Sequence, residues 1–366
     1  MHSGSAERSG RGSDVGGRPA GSFVVVALIV ASSAGALACK IPVQITPAPA
    51  TAPAEQVAIS GASVFIGVGD IAVCGTDGDE RTARLVDSVL RVDSIAKVND
   101  QVFTLGDNAY PDGSASNFAL CFAPSWGDSS KRIMKKIHPA PGNHEHQSIG
   151  AAPYYEYFGS RAGSSKKGYY SYDVGEWHVI VLNSEIIVGA FTDADRKAQD
   201  DWLTGELKGS QKLCTLAYWH NPRFSSGWHG GDARLLRTWQ LLYDGGVDLV
   251  LNGHDHDYER FDPQDPLGVL DTAHGIPEYV VGTGGGDLRG FRTVPSANSA
   301  VRVEGYWGVL KLTLGKGEFR SAFIDTEGRV WDPSGGKCHT APVVAAPLPS
   351  RPSPPGAGQR PDSLLQ

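Results

Sequence analysis

The chain lacks the features that mark several common function classes. It has no excess of positive charge: 33 Lys and Arg stand against 40 Asp and Glu, a formal net charge of −7. That argues against nucleic acid, or an anionic membrane surface, as a partner. Cys74, Cys121, Cys214 and Cys338 show no C-x-x-C spacing, so no zinc knuckle is expected. The Gly-rich stretch GTGGGDLRG at 282–290 has no G-K-[ST] and opens no helical pattern, so it is not a phosphate-binding P-loop. The serines of NSE (183–185) and GDS (127–129) stand in no nucleophile elbow. No internal repeat is evident. The one long uncharged apolar run, residues 23–39, is too short and too rich in small residues for a secure membrane span.

That run reads instead as part of an export signal, since Arg8, Arg11 and Arg18 precede it. Two exits compete. Ala36-Leu37-Ala38 fits a small-residue cleavage site, which would give a soluble secreted protein. The same residues before Cys39 make an imperfect lipoprotein box, with the larger apolar residue at −2 instead of −3. Cysteine parity favours lipidation at Cys39 and membrane anchoring through it, because four of the five cysteines then remain as an even set. The expectation is an exported chain, periplasmic and lipid-anchored or secreted, with two disulfides of open connectivity. Four segments are expected: a signal segment (1–39), a Pro/Ala-rich linker (40–56), one catalytic-size domain (57–340) and a disordered Pro-rich tail (341–366).

Within the domain, β-branched apolar runs alternate with helical patterns. SVFIGVGD (63–70) and QVFTLGD (101–107) read as strands around an amphipathic helix at 80–93, with Leu85, Val86, Val89 and Leu90 on one face. Residues 169–185 read as a hairpin turning near 173–176, and 193–207 as a helix with an acidic start. Strands LCTLAYWH and VDLVLNGH flank the helix ARLLRTWQLLYD, and the C-terminal part is a meander of hairpins. This order predicts a mixed α/β layered domain.

Strand after strand ends in a residue type that binds metals. The endings are Gly69-Asp70, Gly106-Asp107, Gly142-Asn143-His144, Trp219-His220 and Gly253-His254. Alone, a strand-end Asp is an ordinary turn or cap residue and a lone His an ordinary polar one. Together they gather oxygen and nitrogen donors at the carboxyl edge of the strands, where ligands bind in open α/β sheets. In GHDHDYER (253–260), His254 and His256 project the same way if the loop is extended. An acidic protein with an anionic substrate needs local positive charge, which metal ions would supply.

GDIA (69–72), GDNAY (106–110), GNHE (142–145), YWHNPRF (218–224) and GHDHDYER resemble the metallophosphoesterase motifs, in the order that superfamily uses. The resemblance covers about 57–338. Tyr110, the HDYER ending and QDDWL (199–203) resemble the purple acid phosphatase branch. The resemblance implies a two-sheet β-sandwich flanked by helices, with metals at the strand C-terminal ends. It also implies two metal sites. Asp70, Asp107, Tyr110 and His256 would hold the first; Asp107, Asn143, His220 and His254 would hold the second, with Asp107 shared.

Many members of the superfamily begin with D-x-H, whereas this chain has Ala72 at the His position. Tyr110 would replace the missing donor, and a phenolate favours Fe(III) in the first site. Otherwise Tyr110 is a packing residue beside an ordinary divalent site. The second site suits Zn(II), Fe(II) or Mn(II). The implied reaction is hydrolysis of a phosphate monoester, on a small molecule or a phosphoprotein, by attack of a metal-bound hydroxide. A phosphodiesterase with the same two ions is the alternative; a lipid-anchored binding protein without turnover is a third reading. His144 and His229 resemble the family's substrate-side histidines, and His146 is another possible donor. His138 and His178 read as structural. The 282–290 loop is expected to pass close to the metal cleft.

Overall fold

The computed structural model describes Ile59 and residues 61–96, 98–163 and 166–339. The signal segment, Cys39, the linker and the Pro-rich tail lie outside the described residues. In chain order the strands are β1 (Ser63–Val68), β2 (Asp100–Leu105), β3 (Ile137–Ala140), β4 (Tyr170–Val174), β5 (Trp177–Val181), β6 (Cys214–Tyr218) and β7 (Leu249–Asn252). They continue with β8 (Tyr258–Phe261), β9 (Glu278–Val281), β10 (Ser299–Val303), β11 (Gly308–Leu314), β12 (Glu318–Asp325) and β13 (Val330–Lys337).

Two sheets form, ordered β13-β12-β11-β1-β2-β3 and β10-β8-β9-β7-β6-β5-β4. In the first, β1, β2 and β3 are parallel and β11 to β13 add an antiparallel meander. In the second, β5, β6, β7 and β9 are parallel, with antiparallel strands at both edges. Each parallel core is buried on both faces, which explains the near-continuous apolar runs in their sequences.

Alternation along the strands builds two cores. Trp177, Val179 and Val181 of β5, Leu216 and Tyr218 of β6, and Leu249 and Leu251 of β7 point into the core between the sheets. There Phe65 and Phe103 of the first sheet meet Tyr218 of the second, at ring-centroid distances of 6.1 and 5.9 Å. Ile180, Ala217, Trp219 and Val250 face the other way. They pack with Leu203 of the helix Asp193–Gly209 and with Trp239 and Leu242 of the helix Leu236–Asp244. Full burial of each large apolar side chain contributes about 1.5–3 kcal/mol. The helix Gly78–Ala96 packs against β1, β2 and β11, giving helix, sheet, sheet and helix in layers.

The expected helices and hairpins are present; the predicted helix at 233–244 opens with one tighter 3-10 turn at Ala233–Leu235. His138 lies in β3, stacked on Tyr172 at 3.8 Å, and His178 lies in β5 beside Asp173. Among the described residues, no helix is long and apolar enough to cross a membrane.

The four cysteines of the domain form the disulfides Cys74–Cys121 and Cys214–Cys338. The first ties the loop after β1 to the segment following Tyr110. The second ties the start of β6 to the end of β13, closing 124 residues of chain and joining the two sheets. Replacing Cys214 and Cys338 by Ala is expected to cost about 2–5 kcal/mol of unfolding free energy. Denaturant titration of the oxidised protein and the variant checks this; equal stabilities would contradict it.

Candidate metal centre

All five predicted strand endings meet at one edge of the sandwich. β1, β2 and β3 of the first sheet deliver Asp70, then Asp107 and Tyr110, then Asn143 and His144. β6 and β7 of the second deliver His220, then His254 and His256. Backbone bonds lock these loops together: Asp70 N donates to Gly106 O at 3.0 Å, and Gly253 N to His220 O at 2.9 Å. Gly69 N crosses between the sheets to Val281 O at 2.9 Å.

Three of the site residues adopt left-handed backbone: Asp70 (φ 60°), Asp107 (φ 49°) and His254 (φ 72°). Such a residue costs about 1–2 kcal/mol unless it is glycine, and strain of this kind collects at functional sites. The preceding glycines permit the close approach. A Cβ on Gly106 would lie 2.6 Å from the His220 ring, and one on Gly253 2.6 Å from Asp70 Oδ2.

The donor atoms fall into two groups that share Asp107. Tyr110 Oη lies 2.9 Å from Asp70 Oδ1, 3.1 Å from His256 Nε2 and 3.2 Å from Asp107 Oδ2. His220 Nε2 lies 3.2 Å from the same Asp107 oxygen, 3.0 Å from Asn143 Oδ1 and 3.2 Å from His254 Nδ1. Outer contacts fix which nitrogens face inward. His220 Nδ1 bonds Leu105 O at 2.7 Å and His256 Nδ1 bonds Asp287 O at 2.6 Å, so both Nε2 atoms point into the cluster.

The charges of the cluster shift one another. Burial opposes a charged His220, yet Asp107 and Asp70 push it up to about 10; Asp70 likewise raises His256 against burial. Burial would also raise the two carboxyls. His256 and His220 outweigh it at Asp70, and His220 and His144 at Asp107, so both are held below the usual range. Burial drives His254 down to about 4, with His220 adding to the effect. Burial, Asp107 and Asp70 together hold the Tyr110 phenol well above its usual 10. With those protons removed, seven residues offer lone-pair donors that converge on one another. The set therefore fits a pair of cations, with Asp107 common to the two groups of donors.

A profile of the calcineurin-like phosphoesterase family matches residues 64–258, which carry all seven donors from Asp70 to His256. The chain belongs to that family. Its relatives place it with the purple acid phosphatase-like branch. It is 29% identical over 195 residues to purple acid phosphatase 15 of Arabidopsis thaliana, covering 44% of this chain and 36% of that protein. It is 26% identical over 283 residues to human acid phosphatase type 7, covering 66% of this chain and 62% of the relative. Each match spans less than two thirds of the relative's own length. Among solved structures, a purple acid phosphatase from yellow lupin seeds shares the fold with a TM-score of 0.63 at 19% identity, covering 79% of this chain and 57% of that one.

The calcineurin-like centre rests on two buried carboxylates that the sequence motifs contain but do not single out. Glu145 of GNHE accepts from the backbone N–H groups of Asp107 (3.0 Å), Asn108 (2.8 Å), Ala109 (3.3 Å) and Gly142 (2.7 Å). It holds the Asp107 and Asn143 loops in one place. Asp255, between the two histidines of GHDHD, accepts from His229 N at 2.7 Å and Gly230 N at 3.0 Å and binds the Ser225 hydroxyl. The 282–290 loop passes under the centre as expected: Gly284 N donates to Gly69 O at 3.0 Å and Gly286 N to Asp70 O at 2.9 Å.

His144 sits at the rim. Its N–H bonds Asp107 Oδ1 at 2.9 Å, its Nδ1 bonds Pro111 O, and its Nε2 faces Asp107 Oδ2 at 3.7 Å. His229 stacks over His254 with ring centroids 4.4 Å apart. His146 is engaged elsewhere, 3.3 Å from Asn183 Nδ2, and burial lowers it to about 4. A second cluster of possible ligands, Cys214, Asp248 and Cys338, has its sulfurs spent on a disulfide.

Because His220 is pushed up to about 10, the metal-free chain holds its proton at pH 7 and a cation must displace it. Metal uptake by stripped protein at pH 7 is expected to release protons, with affinity rising as pH rises. Titration in weakly buffered solution with a pH indicator checks this; uptake without proton release would contradict it.

Proposed function

We propose that this chain is an exported acid phosphatase that hydrolyses phosphate monoesters, on a small molecule or a phosphoprotein, at a binuclear metal centre. The observation that carries the reading is Tyr110, whose hydroxyl stands among Asp70, Asp107 and His256. Ala72, where a D-x-H motif would place histidine, is fully buried and offers no donor. Asp70, Asp107, Tyr110 and His256 would hold Fe(III). A phenol kept far above its usual range ionises only against a strong Lewis acid. Asp107, Asn143, His220 and His254 would hold Zn(II), Fe(II) or Mn(II).

When bound, such a pair supplies positive charge to the phosphoryl oxygens and an activated water as nucleophile. The protein's own groups do the rest. Glu145 and Asp255 keep the loops from moving as charge develops, so little reorganisation accompanies the reaction. His144, with its Nδ1 engaged by Pro111 O, turns Nε2 towards the cleft, where it can hold a proton for the leaving alkoxide. The two disulfides suit an oxidising compartment and so support export.

The iron-loaded protein is expected to show a visible phenolate-to-iron band that Tyr110→Phe abolishes. It is also expected to hydrolyse an aryl phosphate monoester at acid pH faster than the matching diester, with stripped protein inactive. A colourless iron-loaded protein would overturn the Tyr110 assignment, and a diester preference near neutral pH would move the function to phosphodiesterase.

A further inference from the structure

We propose that Arg289 is the cation that receives the substrate's phosphoryl group at the rim of the centre, with His229 acting as its positioning partner. The proposal rests on the phosphoesterase reading above. The backbone of the 282–290 loop is tied to the metal-site residues at successive points. After Gly284 and Gly286 bond Gly69 and Asp70, Asp287 O accepts from His256 Nδ1 at 2.6 Å and Arg289 N donates to His256 O at 3.0 Å. Arg289 is therefore anchored directly on the loop that presents His254 and His256.

The side chain turns towards His229, with Nη1 2.9 Å from His229 Nε2. A guanidinium only donates, so this Nε2 must accept and the His229 proton must sit on Nδ1. Nδ1 in turn lies 3.1 Å from His254 O and 3.3 Å from Asp255 Oδ1, both acceptors. In this arrangement His229 has no N–H left to offer the cleft. The donor on that side is the guanidinium.

Arg289 is only half-buried, and among the described residues it makes no ion pair with a carboxylate. Its remaining N–H groups are free of protein partners among those residues. A planar fork of such donors matches two oxygens of a phosphoryl group. A monoester presents three non-bridging oxygens and up to two negative charges, whereas a diester presents two oxygens and one charge. Arg289 thus favours monoesters over diesters, which makes it a specificity-determining group as well as a binding one.

The test uses the metal-loaded full chain, with metal content confirmed for each variant: Arg289→Gln, Arg289→Lys, His229→Gln and the double variant His229→Gln/Arg289→Gln. Two quantities are read: kcat/KM for an aryl phosphate monoester and its matching diester, and affinity for inorganic phosphate by direct titration. Arg289→Gln is expected to lower monoester kcat/KM by about 10²-fold and to weaken phosphate binding about tenfold or more. The diester should suffer less, and Arg289→Lys should fall between. Because His229 acts through Arg289, the double variant should be no worse than Arg289→Gln alone.

Unchanged phosphate affinity and an unchanged monoester-to-diester ratio in Arg289→Gln would overturn the proposal. Losses that multiply in the double variant would overturn the positioning role of His229. If the wild-type chain binds metals and phosphate but hydrolyses neither ester, the phosphatase reading fails. Arg289 is then judged by phosphate affinity alone.

Discussion

One oxygen, Asp107 Oδ2, lies 3.2 Å from Tyr110 Oη and 3.2 Å from His220 Nε2, so it joins the donors of the two sheets. Tyr110 belongs to the first sheet's edge and His220 to the second's. A carboxylate in that position, almost wholly buried, is tolerable only if positive charge surrounds it. In the metal-free chain His220, 3.2 Å away, does most to offset that burial, and the backbone N–H of His144 adds to it. The other Asp107 oxygen is pinned by His144 N, and its own backbone N–H by Glu145. The shared oxygen therefore has little freedom to swing towards one side of the centre.

Holding it there has a cost, met elsewhere in the fold. Asp70, Asp107 and His254 take left-handed backbone, and like charges are brought close together. The sandwich offsets this with aromatic burial between the sheets, a second core under the helices, and two disulfides. Cys74–Cys121 ties together the two loops that carry Asp70 and Tyr110. Rigid sheets below and cross-bonded loops above are what a preorganised site requires.

Much of this was legible in the sequence, for physical reasons. Parallel strands buried on both faces leave apolar runs, and a ligand placed directly after such a run marks the carboxyl edge. His254 and His256 could be paired by spacing alone. Other parts left no such mark. β8 (Tyr258–Phe261) carries Glu259 and Arg260, paired with Ser226, Ser299 and Asp332, so it shows no alternation of apolar residues. Glu145 and Asp255 stand inside the recognised motifs, but only the fold shows that they accept backbone N–H groups from distant loops. A buried acid flanked by ligand residues was the available signal. Arg289 had none, since its meeting with His229 spans 60 residues and depends on where the Gly-rich loop runs.

Two groups of donors meet at Asp107 Oδ2, and each would hold one ion. Anomalous diffraction from crystals of metal-loaded protein, collected at the absorption edges of the bound metals, tests this most directly. The expected result is two peaks about 3.5–4 Å apart, one on each side of that oxygen. The first should be bounded by Asp70, Tyr110 and His256, the second by Asn143, His220 and His254. A single peak, or two peaks that do not flank Asp107, would contradict it.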